Sequence, residues 1–400
     1  MLKSLNVCDL TPKAEIEGRI DKLKQRMVEN NIDFALILQN VDMFYFTGTL
    51  QKGVLIVPVG GDPLFFIEKT MERAVYETPL NIIPIRKDKD VKSILDDKKV
   101  LKGRGAMEFD VLPVSVFERW KGLLGFDNFV DLSLLIKDVR LIKSPFEIEQ
   151  IKKSGEIVSH VLEKAKNVVK EGMSEVEIAA ILETEGRIFG HQGFLRMRGL
   201  NQEMMNMYIT HGYSATIQSH ADVPISGVGV THAIAQGPSI NRVEKGVPVL
   251  IDYGGGYNGY ITDETRPYVA GKMKEIFQRG YDVAREIIED TQRFAREGVN
   301  GTEVFMRAAD KVKSAKLEDY FMGYGDGKVS FIGHGLGLEI NELPVITPRH
   351  DIVLREGMVF AFEPKFIVPG EGAVGIEVDF IVRKDGLERV TDFPIDIVQV

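Results

Sequence analysis

The sequence predicts two domains: an α/β domain at the N-terminus and a larger α+β domain with two pseudo-symmetric halves. Three observations lead to this prediction. Short apolar runs alternate with amphipathic segments in the first third, long helical patterns precede strands in the rest, and one helix-to-helix pattern occurs twice there. At 400 residues the chain is long for one core, because domains typically have about 100–200 residues. We place the boundary so that the domains span residues 1–138 and 139–400.

The first domain shows alternating helix and strand signals. Residues 14–31 carry apolar side chains mostly three to four positions apart, which predicts an amphipathic helix. A shorter helix is predicted over residues 90–97. Short apolar runs predict buried strands, at residues 34–38, 53–59, 63–67 and 105–109.

The second domain opens with a clear helix start. Ser144 is a favourable capping residue, Pro145 suits the first helical position, and Glu147 stands three residues after the cap. The sequence therefore predicts a helix that begins directly after Ser144.

A faint repeat lies within this second domain. Residues 168–179 and 294–305 each show a helix ending at Glu-Gly, then a small polar cap and a new helix. The caps are Ser174 and Thr302. The pattern has two interpretations: a common helix-turn-helix arrangement that arose twice by chance, or a duplicated half-domain that packs against its twin around a pseudo-two-fold axis.

Composition argues against several classes of protein. The net charge of −9 argues against nucleic acid as the main partner, because phosphate binding requires a basic face. No apolar run reaches the roughly eighteen residues of a membrane-spanning helix, and the first residues lack the pattern of a signal peptide. The single cysteine, Cys8, excludes an intramolecular disulfide and a thiolate metal cluster. We expect a reducing, cytoplasmic location.

Five residues that can bind metal ions lie where the strand pattern would place core residues. Asp252 and Asp263 lie on two strands that flank a turn at the glycines 254–256, so they can face one another across a hairpin. A buried carboxylate is costly unless it is paired or bound to a metal. The other three are His334 between two glycines, Glu363 at the end of an apolar run, and Glu377 within another run.

Four carboxylates and one imidazole form a mainly hard, oxygen-rich donor set. This set suits a pair of divalent ions such as Mn, Co, Zn or Fe better than a single structural zinc. Two ions about 3.5–4 Å apart can share bridging carboxylates and a bridging water, lower the pKa of that water to give a hydroxide, and polarise a carbonyl oxygen. The pattern therefore predicts a metal-dependent hydrolase.

These motifs carry a family resemblance. Residues 140–400 resemble the catalytic domain of the prolidase, aminopeptidase P and methionine aminopeptidase superfamily, which has the pita-bread fold; residues 1–138, including the segment 45–48, resemble the creatinase/prolidase N-terminal domain. The resemblance implies a two-metal hydrolase that cleaves the amide bond preceding proline, with a bridging hydroxide attacking the carbonyl. It also implies a homodimer, small peptide substrates, and Glu363 as proton shuttle. The implied metal ligands are Asp252, Asp263, His334, Glu363 and Glu377.

The surroundings of these ligands depart from the family pattern. Gln236 stands where similar peptidases carry a histidine upstream of the first aspartate, and His232 could substitute only if the loop is rearranged. Asn341 replaces a second histidine, and Gly375 replaces an arginine. Glutamine and asparagine donate hydrogen bonds but no proton at neutral pH. We therefore count Gln236, His232, Asn341 and Glu363 as candidate catalytic residues, and expect either an altered substrate or weakened cleavage before proline.

Two other functions remain open. The first is a hydrolase of another small C–N bond, as creatinase represents within this fold, although creatinase-like members lack the metal ligands. The second is a non-catalytic binding protein that reuses the fold. Retention of all five ligand residues argues against the second.

Overall fold

The structure, a computed structural model, describes residues 9–400 and shows two compact units. The first unit ends at Arg140 and the second spans Leu141–Val400, so the division falls two residues after the predicted boundary. Cys8 lies outside the described residues, so the structure does not test the prediction about disulfides and thiolate metal clusters. Within the described part of the chain, no helix has the length and apolar character needed to cross a membrane.

The first unit is an α/β unit built on one six-stranded sheet. Its strands are β1 (Phe34–Ile37), β2 (Gly53–Pro58), β3 (Leu64–Ile67), β4 (Ile82–Pro84), β5 (Gly105–Met107) and β6 (Phe129–Asp131). Its helices are α1 (Lys13–Glu29), α2 (Asn40–Thr47), α3 (Met71–Glu77), α4 (Lys89–Asp97), α5 (Val114–Leu124) and α6 (Ser133–Leu141). The sheet has the order β4-β3-β2-β1-β5-β6, with β1 antiparallel to β2 and parallel to β5. A buried cluster of side chains from β1, β2 and β3 packs against α4 and α5.

The first half of the second unit is a helix pair followed by antiparallel strands. It contains α7 (Pro145–Val168), α8 (Glu175–Phe189), β7 (Met207–His211), β8 (Val249–Tyr257) and β9 (Tyr260–Val269). A short 3-10 helix, Gly212–Thr216, follows β7. Apolar side chains of α7 and α8 form one buried cluster with those of β7, β8 and β9.

The second half repeats this plan. Its elements are α9 (Glu275–Phe294), α10 (Gly301–Ala315), β10 (Gly333–Gly335), β11 (Glu342–Ile346), β12 (Val359–Phe362), β13 (Lys365–Val368), β14 (Gly372–Gly375), β15 (Val378–Val382), β16 (Leu387–Arg389) and β17 (Val398–Gln399). Two single-turn 3-10 helices, Glu318–Tyr320 and Gly325–Gly327, precede β10. The sheet orders are β11-β10-β12-β15-β16, β13-β14 and β17-β9-β8-β7, so β17 returns to the sheet of the first half. Two helices followed by antiparallel strands thus occur twice, as the repeat predicts.

The helix starts match the predicted caps at two positions and differ at a third. Ser144 and Ser174 cap α7 and α8, each through a complete capping box. The prediction of Thr302 as the cap of α10 is wrong. Asn300 is the cap, because its side chain accepts a hydrogen bond of 2.9 Å from the backbone N–H of Thr302, and the helix begins at Gly301. Asparagine is as favourable at this position as serine.

The hairpin between β8 and β9 turns at a different place from the one predicted. The glycines 254–256 lie inside β8, and the turn is formed by Asn258 and Gly259, which have φ angles of 50° and 87°. Asn-Gly is the preferred pair for a two-residue hairpin turn, which needs positive φ at both positions. A Cβ atom on Gly255 would lie 2.7 Å from the side chain of Val158, so the glycine allows α7 to pack closely on β8.

Candidate functional site

Strands β8 and β9 place two of the predicted metal ligands on one face of their sheet. Asp252 lies opposite Thr265, and Asp263 lies opposite Gly254. The two aspartates are therefore diagonal neighbours rather than direct cross-strand partners, because the turn lies beyond the three glycines. Diagonal neighbours on one face are close enough for a cation to reach both.

His334 lies at the centre of β10, between β11 and β12. Its neighbours are Ala361 on β12 and Val345 on β11. A Cβ atom on Gly335 would overlap the carbonyl of Leu343, so the flanking glycine lets β11 approach the histidine strand closely. The Nδ1 atom of His334 lies 3.4 Å from the carbonyl oxygen of Gly335, and donation there leaves Nε2 free to accept or to bind a metal.

The two glutamates lie at the ends of strands. Glu363 directly follows β12, as predicted. Glu377 is not inside a single strand, as the apolar run suggested, but lies between β14 and β15, which belong to different sheets. Thr265 holds it there: the backbone N–H of Glu377 donates to the carbonyl of Thr265 at 3.1 Å, and the Thr265 hydroxyl donates to Glu377 Oε2 at 2.8 Å.

Three of the predicted ligands converge around the imidazole of a fourth. His334 Nε2 lies 3.8 Å from Asp263 Oδ2, 3.8 Å from Glu377 Oε1 and 4.0 Å from Glu363 Oε1. The three carboxylates are buried. Asp252, the fifth residue, takes part through a different contact.

That contact is with Lys365, which was not among the site residues predicted from the sequence. Lys365 is only 3% exposed. Its Nζ atom lies 2.9 Å from Asp252 Oδ2, 2.8 Å from Glu363 Oε2 and 2.8 Å from Glu377 Oε2. A lysine two residues after the glutamate, at the start of an apolar strand, was the only signal in the sequence.

The charges of this cluster shift the pKa values of its members. Burial would lower the pKa of Lys365, but the surrounding carboxylates, with Asp252 first, raise it well above its usual range. Burial raises the pKa of Glu363 to about 7, and the Lys365 ammonium opposes that rise. Burial would also raise the pKa of Glu377, but Lys365 and His334 lower it to about 2. Lys365 is therefore the cation that compensates these acids in the protein itself.

One divalent ion fits beside His334. Asp263, His334 and Glu377 each offer one ligand atom, and these atoms lie within 4.8 Å of one another. Asp263 Oδ1 and Glu377 Oε1 are buried without a hydrogen-bond partner, and an orphaned carboxylate oxygen is costly unless a cation compensates it. Glu363 Oε1 offers a fourth ligand. Carboxylates with one imidazole suit Mn, Fe, Co or Zn.

The cluster lies at one wall of a cavity of about 210 Å³. This volume is below the roughly 300–1,000 Å³ of pockets for drug-sized ligands, so the cavity suits a small molecule. Among the described residues, the basic side chains in its lining are Lys365 and His334. The rest of the lining is largely apolar, and its apolar wall is formed by Val223, Pro224, Ile225, Phe331, Ile340 and Val345.

The two amides expected to replace catalytic histidines are both engaged within the protein. Asn341 lines the cavity, but its Oδ1 accepts from the backbone N–H of Arg198 and its Nδ2 donates to the carbonyl of Arg198, each at 2.8 Å. Gln236 lines a neighbouring cavity of about 270 Å³. Its Oε1 accepts from the Tyr208 hydroxyl at 3.1 Å, and its Nε2 donates to the carbonyl of Glu203 at 3.1 Å. Both amides hold loops in place.

His232 does not lie in either cavity. It is exposed on a turn closed by a bridge between Thr231 and Ile234. The structure therefore does not bring it to the acids, because the loop is not rearranged in the way such a role would need.

Comparisons with known proteins agree with this architecture. The profile of metallopeptidase family M24 matches residues 149–384, and that of the creatinase/prolidase N-terminal domain matches residues 19–142. An Xaa-Pro dipeptidase of Pyrococcus furiosus is 30% identical over 378 residues, covering 94% of this chain and 98% of the relative.

Solved structures also match nearly the whole chain. The prolidase of Pyrococcus horikoshii OT3 superposes with a TM-score of 0.79 at 26% identity, covering 95% of this chain and 99% of the other. An X-Pro aminopeptidase of Thermotoga maritima MSB8 superposes with a TM-score of 0.78 at 25% identity, with the same coverage.

Proposed function

The chain belongs to metallopeptidase family M24, and from this membership we propose that it hydrolyses the amide bond preceding proline in small peptides. The observation that carries the proposal is the convergence of Asp263, Glu363 and Glu377 on His334 at the wall of a small cavity. Two relatives from Pyrococcus that span nearly the whole chain are named as Xaa-Pro dipeptidases, and a solved structure from Thermotoga maritima is named as an X-Pro aminopeptidase, which supports this substrate class.

Membership of this family implies a divalent metal ion. Asp263, His334, Glu363 and Glu377 would hold it, and when bound it would polarise the substrate carbonyl and lower the pKa of a water molecule. The sequence predicts a bridged pair of ions. The second ion of such a pair would need Asp252, whose carboxylate is bonded to Lys365.

The protein's own residues would bind and orient the substrate. The apolar wall offers a surface for a proline ring, with Phe331 and Val345 near the histidine strand. Burial raises the pKa of Glu363 to about 7 while no metal ion is bound, and its two oxygens lie beside His334 and Lys365, so Glu363 is placed to take up and return a proton. The small cavity favours short peptides.

Release of the free N-terminal amino acid from a panel of Xaa-Pro dipeptides tests this function. The panel also includes one Xaa-Pro-Yaa tripeptide and matching Xaa-Ala dipeptides, with Mn, Co or Zn added in turn. We expect cleavage of the Xaa-Pro bond, loss of activity after chelation, and recovery when one of these metals is returned. Cleavage of the tripeptide but not the dipeptides would assign an aminopeptidase, and the reverse a dipeptidase.

If protein that is shown to contain metal cleaves none of these peptides, the proposal is contradicted. Equal cleavage of Xaa-Ala and Xaa-Pro peptides would contradict the proline requirement.

A hydrolase of another small amide is the second candidate. The specific observation that favours it is the set of hydrogen bonds that the amide groups of Gln236 and Asn341 make with the protein backbone and with Tyr208. One N–H and the oxygen of each amide are thereby committed to the protein, so the outer part of the site differs from that of the peptidases with histidines there. Turnover of non-proline amides by metal-containing protein, with none of Xaa-Pro peptides, would favour this function.

Asn341 provides a test of loop positioning. Asn341→Ala would leave the backbone N–H and carbonyl of Arg198 without their partner, which costs about 1–3 kcal/mol for buried groups. We expect the nearby cavity residues Met197 and Gln202 to loosen, raising KM by about tenfold with little change in kcat. Steady-state kinetics on an Xaa-Pro dipeptide measure this.

The control for this variant is Asn128→Ala in the first unit, where the side chain donates to the backbone carbonyl of Gly103. KM should not change there. A fall in kcat at unchanged KM for Asn341→Ala would instead place Asn341 in direct contact with the reacting groups.

The homodimer and the cytoplasmic location expected from the sequence stay predictions. Size-exclusion chromatography with light scattering would measure the first, and fractionation of cells the second.

A further inference from the structure

The carboxylates of the candidate centre divide their oxygens between two positions. Glu363 and Glu377 each direct one oxygen toward His334 and the other toward Lys365. Asp263 belongs to the histidine side and Asp252 to the lysine side. This is the arrangement in which two glutamates bridge two cations, with a different aspartate completing each position.

Lys365 fills its position completely. An ammonium group has three N–H donors and no acceptor, and the three contacts of Nζ are with three carboxylates at 2.8–2.9 Å. These lengths are typical of charge-assisted hydrogen bonds. No donor is left over, and the oxygens that a second metal ion would need are already bonded.

From this geometry we infer that the Lys365 ammonium group replaces one of the two expected ions, so that the protein binds a single divalent ion per chain. The inference rests on the proposed function only for the presence of a metal ion. The retained ion would lie beside His334, where Asp263, Glu363 and Glu377 each place one carboxylate oxygen within 4.0 Å of Nε2.

The opposite strand is shaped to accommodate the lysine. Lys365 lies directly across from Gly375, between β13 and β14. A Cβ atom on Gly375 would come within 2.6 Å of Lys365 Cγ and 2.8 Å of its Cα. Any side chain at position 375 would displace the lysine side chain. The inward position of Lys365 therefore depends on the glycine at 375.

Repulsion between cations favours the same conclusion. The Lys365 ammonium group already carries a positive charge among Asp252, Glu363 and Glu377. A divalent ion placed beside it would bring two cations together among buried groups, which is unfavourable.

The test is the metal content of the whole protein, measured by mass spectrometry after loading with Mn²⁺ and removal of free ions. We expect one ion per chain in the wild type. Lys365→Ala removes the ammonium group and leaves three carboxylates around an empty position, so we expect two ions per chain. The control is Lys143→Ala, because Lys143 is also buried but bonds Glu342 rather than the cluster, and its content should stay at one.

Electron paramagnetic resonance of the Mn²⁺-loaded wild type gives a second measurement that needs no variant. We expect the spectrum of an isolated Mn²⁺ ion, whereas two neighbouring ions would be spin-coupled. Two ions in the wild type, or one ion in a folded Lys365→Ala variant, would overturn the inference. Neither measurement uses a substrate, so failure to cleave Xaa-Pro peptides would contradict the proposed function without affecting this result.

Discussion

Asp263→Asn is expected to lower kcat/KM for an Xaa-Pro dipeptide by about 10³-fold, because a bound metal contributes several kcal/mol to stabilising the transition state. Asp263 Oδ1 is buried without a hydrogen-bond partner, and Oδ2 faces His334. Asparagine keeps the shape of the side chain but removes the charge that holds the ion. Metal content should therefore fall together with activity.

The matched control is Asp282→Asn, the same change on the exposed side of α9, where the carboxylate accepts a hydrogen bond from Gln278. Activity and metal content should both equal those of the wild type. An Asp263→Asn protein that retains wild-type activity would remove Asp263 from the metal site.

Arg266→Met is expected to lower the free energy of unfolding by about 3–5 kcal/mol, because it breaks a fully buried ion pair and leaves one charge uncompensated. Arg266 bonds the carboxylate of Glu264 at 2.9 Å and the carbonyl of Glu377 at 2.6 Å. It also donates to the carbonyls of Thr265, Phe393 and Pro394. Urea denaturation measures the loss, and weaker metal binding should accompany it because Glu377 loses a support.

Arg285→Met serves as the control for this variant. Arg285 pairs with Glu289 at 2.9 Å on the exposed face of α9. Surface pairs of this kind contribute about 0–1 kcal/mol, so the denaturation midpoint should hardly move. If Arg266→Met also left the denaturation midpoint unchanged, the buried hydrogen bonds of Arg266 would not be what positions Glu377.

The residues of the candidate site were largely visible in the sequence. Asp263, His334, Glu363 and Glu377 interrupt apolar runs, and a charge in such a run needs a partner in the folded chain. Their strand positions were approximate, since Glu377 joins two sheets instead of lying within one strand. The Asn258-Gly259 turn was also present in the sequence, but the three preceding glycines were a more conspicuous turn signal.

The partners of the amide side chains were not visible. Asn341 and Arg198 are far apart in the chain, and nothing local indicates that the amide closes two backbone hydrogen bonds instead of facing a substrate. The same holds for Gln236 and Tyr208. Side-chain hydrogen bonds between distant segments depend on how loops pack, which periodicity does not encode.

The sequence by itself determined the two-domain α/β and α+β architecture, the family and the set of candidate metal ligands, because periodicity and motif spacing are local properties. Only the tertiary structure decided which cation meets which carboxylate. Lys365 begins a strand and could equally have faced solvent. The missing side chain at Gly375 and the convergence of Asp252, Glu363 and Glu377 direct its ammonium group inward. The contact with Asp252 joins positions 113 residues apart in the chain, which no local pattern encodes.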